Sequence, residues 1–419
     1  MKVLYVTGNC LTRNTSANIS HNAFVQGLLE NGCEVDIIMA KDSWGAKDRG
    51  LPVWKDADYY VFSSLSLADL LRIRLGRLAK NQAVTSNAAT ADNITQEIQR
   101  NDSIKATIRE AAKKSFYSVF KPDSLYPLER QWLKNASHFR NEMLYDLVIS
   151  NSSPAASHRL IVDLKNKGNI FFKRWIQVWE DPWYYDLYGG HPLEIKEEEH
   201  RLLQEASEIV YVSPLTLMYQ KRYFPDCADK MSCVPLPALL FEEEQGKQTN
   251  EEFSVGYFGD YYSQTRDLSP FYEAIKRTGY RCYIYGDSDL SLEKTDKIEI
   301  SGRVTLDKLQ EIQDKTTVLV HLCNLRGGQI PGKIYHYSVT DKPILFILDG
   351  TEEEQKALRT YFEPFNRYYF CRNTADEIEE TLNRIHKTNI TFKAIDAFLP
   401  KNVTAIILNK HTESDFKHA

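Results

Sequence analysis

Short apolar runs alternate with amphipathic stretches along most of the chain. Lys2–Thr7 and Glu34–Ala40 are strand-length apolar runs, and the segment between them, ANISHNAFVQGLLENG, has apolar residues at helical spacing. This order of strand, helix and strand predicts a βαβ unit and therefore a parallel sheet. The rhythm returns at DLVISNSSP, RWIQVWEDPW and EIVYVSP, and each of these runs predicts a further strand that ends in a loop.

A second series of strand candidates begins after Glu251. Its members, separated by helical stretches, are FSVGYFGD, RCYIYGD, KIEISGRV, TTVLVHL, KPILFIL and RYYF. Capping boxes open two of the helices, at Thr351-x-x-Glu354 and Thr374-x-x-Glu377. Two βα arrays in series predict an α/β fold with two Rossmann-like domains that face each other across a cleft. A chain of 419 residues is also too long for one ordinary core.

The polar, Pro-containing segment CVPLPALLFEEEQGKQTN marks the expected domain boundary. We expect an N-terminal domain over residues 1–235 and a C-terminal domain over residues 236–391. A helix over about residues 392–419 is expected to pack back on the first domain. Residues 64–137, which are polar and contain no strand candidate, are expected to form a helical insertion in that domain.

The insertion has a charge opposite to that of the rest of the chain. Between Arg72 and Lys121 there are ten basic and four acidic residues, whereas the whole chain has a net charge of −5. Leu and Ile alternate with Arg at helical spacing, a pattern that suits contact with an anionic membrane surface. An ordinary amphipathic helix packed on its own domain accounts for the pattern equally well.

Composition indicates a globular protein, with 42% hydrophobic and 26% charged residues. No apolar run reaches the roughly 18 residues of a membrane span, and the first residues lead directly into a strand, so we expect a cytoplasmic protein. The cysteines are odd in number and form no CxxC pair, which argues against a disulfide framework or a zinc site. They are Cys10, Cys33, Cys227, Cys233, Cys282, Cys323 and Cys371.

Loops after the strands of the second array are rich in glycine and cations. In LRGGQIPGK, Gly327 and Gly328 would let backbone amides approach an anion, and Lys333 adds a charge at the start of a helix. A plain glycine turn is the alternative for this loop. Strand ends in the same array supply Gly259, Arg266, Arg303 and Val304. A solvated loop cation is an equal alternative for Arg303. The loops together predict a site for a nucleotide diphosphate.

The segment QIPGKIYHYSVTDKPIL, Gln329 to Leu345, resembles the signature of family 4 glycosyltransferases of the GT-B fold. Further segments are similar to that family in the same order: KPDSLYPLERQWLKNA, EDPW, EASEIVYVSP, GYFGDYY and SGRVTLDKLQEI. The resemblance implies a UDP- or GDP-sugar donor, transfer with retention and without a metal, and a glycan or polyprenyl-linked acceptor of the kind used in bacterial capsule or O-antigen synthesis.

This chain departs from the family at two places. The family usually has two glutamates eight residues apart, and the matching positions here are Gly328 and His336. The imidazole of His336 can still bind a ribose hydroxyl. The family's first-domain histidine would fall at Asn151, Ser152 and Ser153, which makes Asn151 and Ser152 candidates for acceptor binding. His158, a little further on, is expected to face outward from a helix.

Without that histidine, the carboxylates of WEDPW become the candidates for catalysis. Asp181 would orient or deprotonate the acceptor hydroxyl, with Glu180 competing for the role, and turn formation is the alternative for Asp181. The neighbouring aromatic residues offer faces for sugar rings or for interdomain packing; they are Trp179, Trp183, Tyr184 and Tyr185. Gly8 and Asn9, after the first strand, would meet the donor phosphate from the opposite domain.

Several enzyme classes have no motif in this chain. GxGxxG, GxSxG, HExxH and a Walker lysine loop are all missing from it. Two alternatives to the transferase remain, a nucleotide-sugar epimerase of the same double-Rossmann shape and a non-catalytic protein that binds a sugar nucleotide or glycan. The basic insertion favours the transferase, because an epimerase has no use for it.

Replacing Arg72, Arg74, Arg77 and Lys80 with Gln should abolish co-sedimentation with anionic liposomes. Each Lys or Arg near such a surface contributes about 1 kcal/mol, screened over roughly 10 Å at 0.1 M salt. The unmodified protein should detach as salt rises, and the variant should keep its nucleotide binding. Failure of the unmodified protein to sediment at low salt would show that the insertion is ordinary structure.

Overall fold

The computed structural model describes residues 1–13, 15–41, 50–65, 125–152, 154–187, 192–239, 252–326, 328–388 and 390–409. Most of the predicted basic insertion, and the four cations at 72–80, therefore lie outside the described residues. Within the described part of the chain, no helix has both the length and the apolarity that crossing a membrane requires.

The first half of the chain forms a seven-stranded sheet in which every pair of neighbours is parallel, in the order β3-β2-β1-β4-β5-β6-β7. Its strands are β1 Lys2–Thr7, β2 Glu34–Ala40, β3 Ala57–Phe62, β4 Leu144–Asn151, β5 Phe171–Trp179, β6 Glu208–Tyr211 and β7 Met231–Cys233. The helices between them are α1 Ser16–Glu30, α2 Arg130–Ala136, α3 Ala156–Asn166, α4 Leu193–Glu205 and α5 Pro214–Tyr223, with a 3-10 helix over Pro225–Lys230. Because the central strands are covered on both faces, they are nearly continuous apolar runs.

The second half forms a six-stranded parallel sheet in the order β10-β9-β8-β11-β12-β13. Its strands are β8 Ser254–Phe258, β9 Arg281–Tyr285, β10 Ile298–Ser301, β11 Val318–Leu322, β12 Ile344–Leu348 and β13 Tyr368–Arg372. The helices are α6 Ser269–Thr278, α7 Leu306–Lys315, α8 Lys333–Ser338, α9 Glu352–Phe362, α10 Ala375–Thr388 and α11 Pro400–Asn409. In both sheets the strand order reverses beside the first strand of the array, which is where a doubly wound sheet opens a crevice for a ligand.

The predicted fold class is confirmed, since each half of the chain is a parallel sheet with interleaved helices. Every strand predicted in either array is present. Two strands were not predicted, β3 and β7. β3 lies at the sheet edge and is only half-buried, and β7 is three residues long, so neither gives a strong apolar run. The residue numbers of the domain boundaries stay a prediction.

Helix α11 returns to the first sheet and packs along α1. A Cβ at Gly27 would lie 2.1 Å from the carbonyl oxygen of Pro400, so the two backbones touch where the glycine has no side chain. The side-chain amide of Asn31 closes the contact by donating to the Lys401 carbonyl and to the Thr404 hydroxyl, both at 2.8 Å. The last described helix is thus part of the first unit's packing.

One of the two predicted capping boxes is complete. The Thr351 hydroxyl accepts from the Glu354 amide, and the Glu354 carboxylate accepts from the Thr351 amide. The prediction for the second box was wrong for one of its two hydrogen bonds, the one from the Thr374 amide to the Glu377 carboxylate. The Thr374 hydroxyl accepts from the Glu377 amide at 3.4 Å, but the Glu377 carboxylate turns to the Arg372 amide at 2.8 Å and to that residue's guanidinium. The charged guanidinium of Arg372, a stronger donor, therefore takes the place of the Thr374 amide.

Candidate functional site

Polar residues gather where the central strands of the first sheet end. Asn9 follows β1, Asn151 closes β4, and Glu180 and Asp181 follow β5. Because these strands are parallel and adjacent in the sheet, their carboxyl ends lie along one edge. This edge brings together the predicted catalytic and acceptor-binding residues of the first domain.

His21 organises the interior of this edge, although it was not predicted. Its Nδ1 lies 2.8 Å from the Tyr5 hydroxyl, and its Nε2 lies 3.1 Å from the Thr7 hydroxyl and 3.2 Å from the side-chain amide nitrogen of Asn9. Asn151 in turn donates to Tyr5 at 3.0 Å. The ring is fully buried, and burial lowers the pKa of His21 to about 3, so the imidazole is neutral at physiological pH.

A sequence signal for His21 exists in α1. The residue precedes Phe24, Val25 and Leu28 by the three, four and seven positions of one helical face, and all three are in the core. A histidine in phase with such a stripe faces the sheet rather than solvent.

Glu180 is the carboxylate that this network encloses. Its Oε1 lies 3.9 Å from His21 Nδ1, is inaccessible to solvent, and has no hydrogen-bond partner among the described residues. Burial, together with the charge of Asp181, holds the pKa of Glu180 well above its usual range. The residue's amide donates to the Ser152 hydroxyl at 3.2 Å, which ties the β5 loop to the β4 loop. Glu180 therefore faces inward, in surroundings that favour its protonated form.

Asp181 differs from its neighbour in both position and charge. It is half-buried, and burial raises its pKa to about 6, helped by the charge of Asp186 and opposed by a hydrogen bond from Gln329. At neutral pH this carboxylate is ionised, yet it remains basic enough to accept a proton. A pKa close to the working pH is what general base catalysis requires. Of the two predicted carboxylates, Asp181 has the better electrostatics for that role.

The loop that follows β11 crosses to this edge from the second unit. The side chain of Gln329 bonds the Asp181 carboxylate, and its Oε1 accepts from the Leu187 amide at 3.3 Å. The Gly328 carbonyl accepts from the Ser213 hydroxyl at 2.9 Å and from the Thr216 hydroxyl at 2.6 Å. The loop therefore places the candidate base of the first unit beside the predicted diphosphate loop of the second.

The reason for a glycine at position 328 is packing. A Cβ there would lie 3.0 Å from the Tyr219 ring and 3.2 Å from the backbone of α5. Gly327 lies outside the described residues, so its predicted role stays a prediction. The helix that begins at Lys333 has six residues, which makes its dipole smaller than the sequence suggested.

Three cations meet at the carboxyl edge of the second sheet. Arg266 is held by the Asn324 side-chain oxygen at 2.9 and 3.0 Å and by the Asp260 carbonyl at 2.8 Å. Arg303 pairs with the Asp260 carboxylate and lies 3.2 Å from that of Asp287. Lys333 is within electrostatic reach of both arginines. These three are the cations that the sequence assigned to the donor diphosphate.

Lys333 lacks a counterion of its own. No carboxylate in the described ranges comes within salt-bridge distance of its ammonium group. Burial, together with the charges of Arg266 and Arg303, lowers the pKa of Lys333 to about 8 against the attraction of Asp260. His336, one turn along α8, is half-buried, and burial lowers its pKa to about 4. Three cations share this edge with the carboxylates of Asp260 and Asp287, so an anionic ligand would be stabilised here.

The remaining glycines assigned to the donor already use their amides. The Gly8 amide donates to the Ser157 hydroxyl at 2.9 Å, and a Cβ at this position would lie 2.6 Å from the Pro154 ring. The Gly259 amide donates to the Tyr285 carbonyl at 2.8 Å. Val304 is half-buried against the apolar core. Their contacts in this structure are those of packing and strand pairing.

The aromatic residues of the β5 loop have separate environments. Trp179 is fully buried and belongs to the core. Trp183 packs on Tyr126 with ring centres 5.1 Å apart, and Tyr184 meets the edge of Tyr223 at 5.9 Å. Both rings stay partly exposed. Trp183 and Tyr184, and likewise the partly exposed Tyr185, leave surface for a sugar ring, whereas Trp179 does not.

The expectation for His158 was wrong. The side chain is fully buried, its Nδ1 lies 2.7 Å from the Ser150 hydroxyl, and its ring packs on Trp179 with centres 4.3 Å apart. Helical spacing places His158 on the inner face of α3, where Ile161 follows one turn later. The face of α3 that contacts the sheet thus carries a polar side chain in place of an apolar one.

The comparisons with known proteins find likeness in structure. No family model matches the chain, and no curated protein matches it in sequence. The fold is similar to sucrose-phosphate synthase from Thermosynechococcus elongatus, with a TM-score of 0.56 and 11% identity over 96% of this chain and 92% of that one. It is also similar to HepE of Anabaena in complex with UDP, with a TM-score of 0.50 and 11% identity over 97% and 94% of the two chains. At this identity the likeness shows the fold, which is that of the GT-B glycosyltransferases.

Replacing His158 with Phe should reduce the loss of stability in acid. Burial lowers the pKa of His158 to about 3, below the value near 6.5 of an unfolded chain, so acid protonates the unfolded state first. The stability that this residue contributes is complete above pH 6.5 and is lost as the pH falls towards 3. Between pH 7 and 5 the loss is about 2 kcal/mol for this one histidine.

Urea unfolding at pH 7 and pH 5 measures the difference, with the exposed His138 changed to Phe as the control. The His158 variant should show a smaller drop in unfolding free energy than the control. Equal drops in the two variants would contradict the assignment of a neutral, buried imidazole.

Proposed function

We propose that this chain is a glycosyltransferase that binds a nucleotide-sugar at the edge of the second sheet and transfers the sugar to a hydroxyl held at the edge of the first. The observation that carries the proposal is the position of Gln329, which joins the Asp181 carboxylate to the loop leading into Lys333. In this proposal an ionised carboxylate and three cations would lie on opposite sides of one cleft.

The cations would hold the donor diphosphate. Lys333 has no carboxylate partner at salt-bridge distance in the described ranges, while Arg266 is fixed in direction by Asn324 and the Asp260 carbonyl. When the bond between the sugar carbon and the phosphate oxygen breaks, negative charge grows on the diphosphate. Cations already held in place stabilise that charge without reorganising. His336, one turn beyond Lys333, is the proposed contact for the donor ribose.

Asp181 would act on the acceptor. Its carboxylate accepts the proton of the acceptor hydroxyl as the new bond from that oxygen to the sugar carbon forms. Glu180 would position the loop rather than touch substrate, because its carboxyl group points into the His21 network. Trp183 and Tyr184, with partly exposed rings, would contact the acceptor sugar, and Asn151 and Ser152, which are buried in this structure, would lie beneath it at the same edge.

The finer features of the proposal come from the resemblance to family 4. They are transfer with retention, independence of a metal, a UDP- or GDP-sugar donor, and a glycan or polyprenyl-linked acceptor in a bacterial surface polysaccharide pathway. Peripheral attachment to the inner face of the membrane is proposed from the basic residues between Arg72 and Lys121.

Replacing Lys333 with Ala should weaken nucleoside diphosphate binding by about 1.5 to 3 kcal/mol, the range for a charge-assisted hydrogen bond. A thermal-shift screen of nucleoside diphosphates first identifies the preferred nucleobase, because a ligand that binds only the native state raises the protein's apparent stability. Calorimetry then compares the variant with a Lys308→Ala control, whose lysine is exposed and pairs with Glu311 on α7. Equal affinities in two folded variants would remove Lys333 from the site.

Replacing Asp181 with Asn should reduce turnover by at least about 100-fold and leave nucleoside diphosphate affinity unchanged, because the general base acts only in the transition state. The assay incubates a panel of nucleotide-sugars with the protein and detects the slow release of free sugar and nucleoside diphosphate. Epimerised donor without release would identify an epimerase. Binding without any conversion in the unmodified protein would identify a non-catalytic sugar-nucleotide protein.

A further inference from the structure

A histidine, an aspartate and a cysteine meet between α4 and the 3-10 helix that follows α5. His200 belongs to α4, while Asp226 and Cys227 lie in the first turn of the 3-10 helix Pro225–Lys230. His200 Nε2, an Asp226 carboxylate oxygen and the Cys227 sulfur all lie within 4.8 Å of one another. Nitrogen, oxygen and sulfur ligands from two separate elements thus converge on one point.

The separations suit a tetrahedral zinc ion. His200 Nε2 and Asp226 Oδ2 are 2.7 Å apart, and the Cys227 sulfur is 3.9 Å from the same oxygen. Bonds of about 2.0 Å to nitrogen or oxygen and 2.3 Å to sulfur place two tetrahedral ligands roughly 3.3 to 3.6 Å apart. The His–Asp pair would open by roughly 0.6 Å and the Asp–Cys pair would close by a smaller distance, both within the reach of side-chain rotation.

The surroundings hold the three ligands in place. The His200 ring stacks on Phe224 with an interplanar angle of 22°, which fixes its direction. Cys227 is buried, whereas His200 and Asp226 are partly open to solvent, so an ion has a route in. The positive charge of Lys230 lies near Cys227 and disfavours metal binding by repulsion. The ammonium group of Lys230 is held by the carbonyls of Gln204 and Ala206.

A buried hydroxyl next to the cysteine adds an independent observation. Tyr211 is fully buried in β6, and its hydroxyl has no hydrogen-bond partner in the described part of the chain. The Glu199 carboxylate and the Cys227 thiol are both electrostatic neighbours of this hydroxyl. An unsatisfied buried donor costs about 1 to 3 kcal/mol. A thiolate bound to a metal would give this hydroxyl an acceptor, in the way that outer groups commonly support metal ligands.

We propose that His200, Asp226 and Cys227 bind a zinc ion, with water as the fourth ligand. The mixed nitrogen, oxygen and thiolate set favours zinc over calcium or magnesium, which prefer oxygen ligands alone. The ion would fasten α4 to the 3-10 helix after α5. The carboxylate of Glu199, the residue before His200, accepts a hydrogen bond from the Tyr184 amide at 2.6 Å. A zinc ion at this site would therefore also stabilise the backbone on the proposed acceptor side.

Zinc titration of tag-free, chelator-treated protein tests the site. Calorimetry should give one ion per chain, and His200→Ala and Cys227→Ser should each weaken affinity by at least about ten-fold, the smallest loss usual for groups that support a metal site. The exposed His138→Ala is the matched control and should bind zinc as the unmodified protein does. Cobalt in place of zinc should give a thiolate charge-transfer band that disappears in Cys227→Ser.

Several outcomes would overturn the proposal. These are the absence of stoichiometric zinc binding, binding that survives both substitutions, or a cobalt band that persists without Cys227. Should Cys227→Ser fail to fold, Asp226→Asn on the surface provides the second variant. Nucleoside diphosphate affinity should be the same with and without zinc, so the zinc site and the proposed function stand or fail separately.

Discussion

The carbonyl of Gly328 and the side chain of Gln329 carry hydrogen bonds from the second unit into the first. Ser213 and Thr216 hold the carbonyl, and Asp181 and the Leu187 amide hold the side chain. Two independent parallel sheets have no intrinsic reason to orient their ligand-binding edges towards each other. These contacts, made within one loop, contribute to that orientation together with the buried hydroxyl of Tyr335, which donates to the Val212 carbonyl at 2.7 Å.

Desolvation then divides similar residues into different states. Glu180 and Asp181 are adjacent in sequence, yet Glu180 faces the His21 network, while Asp181 faces the cleft and the Gln329 amide. Burial holds the pKa of Glu180 well above its usual range and places that of Asp181 at about 6. The same effect keeps His21 neutral. Charge at the edge of the first sheet is therefore concentrated on the carboxylate that faces the second unit.

Periodicity was sufficient for the fold because both sheets are parallel and buried on two faces, which gives continuous apolar runs such as Ile344–Leu348. It failed for the edge strand Ala57–Phe62, where one face is open. Side-chain direction inside helices was harder to predict, and His158 is the clearest case. A histidine was assumed to be solvated, whereas the spacing to Ile161 was the better guide.

The chemistry of the site was predictable to the extent that it depends on strand ends. Asp181, Arg266, Arg303 and Lys333 follow strands, so their convergence could be expected from topology. The bond between Gln329 and Asp181 could not, since it depends on how the two units dock. The packing role of Gly328 against α5 was hidden for the same reason. A glycine-rich loop looks alike in sequence whether a ligand or a helix approaches it.

The contact between α1 and α11 has a consequence for the growing polypeptide. Asn31 and Lys401, which hydrogen-bond in the folded protein, are 370 positions apart in the chain. During synthesis, the flank of α1 around Gly27 emerges early and finds no partner until the second sheet has been translated. The first unit to leave the ribosome is therefore the last to be completed, and a chain stalled near residue 390 would present an uncovered helix face to chaperones and proteases.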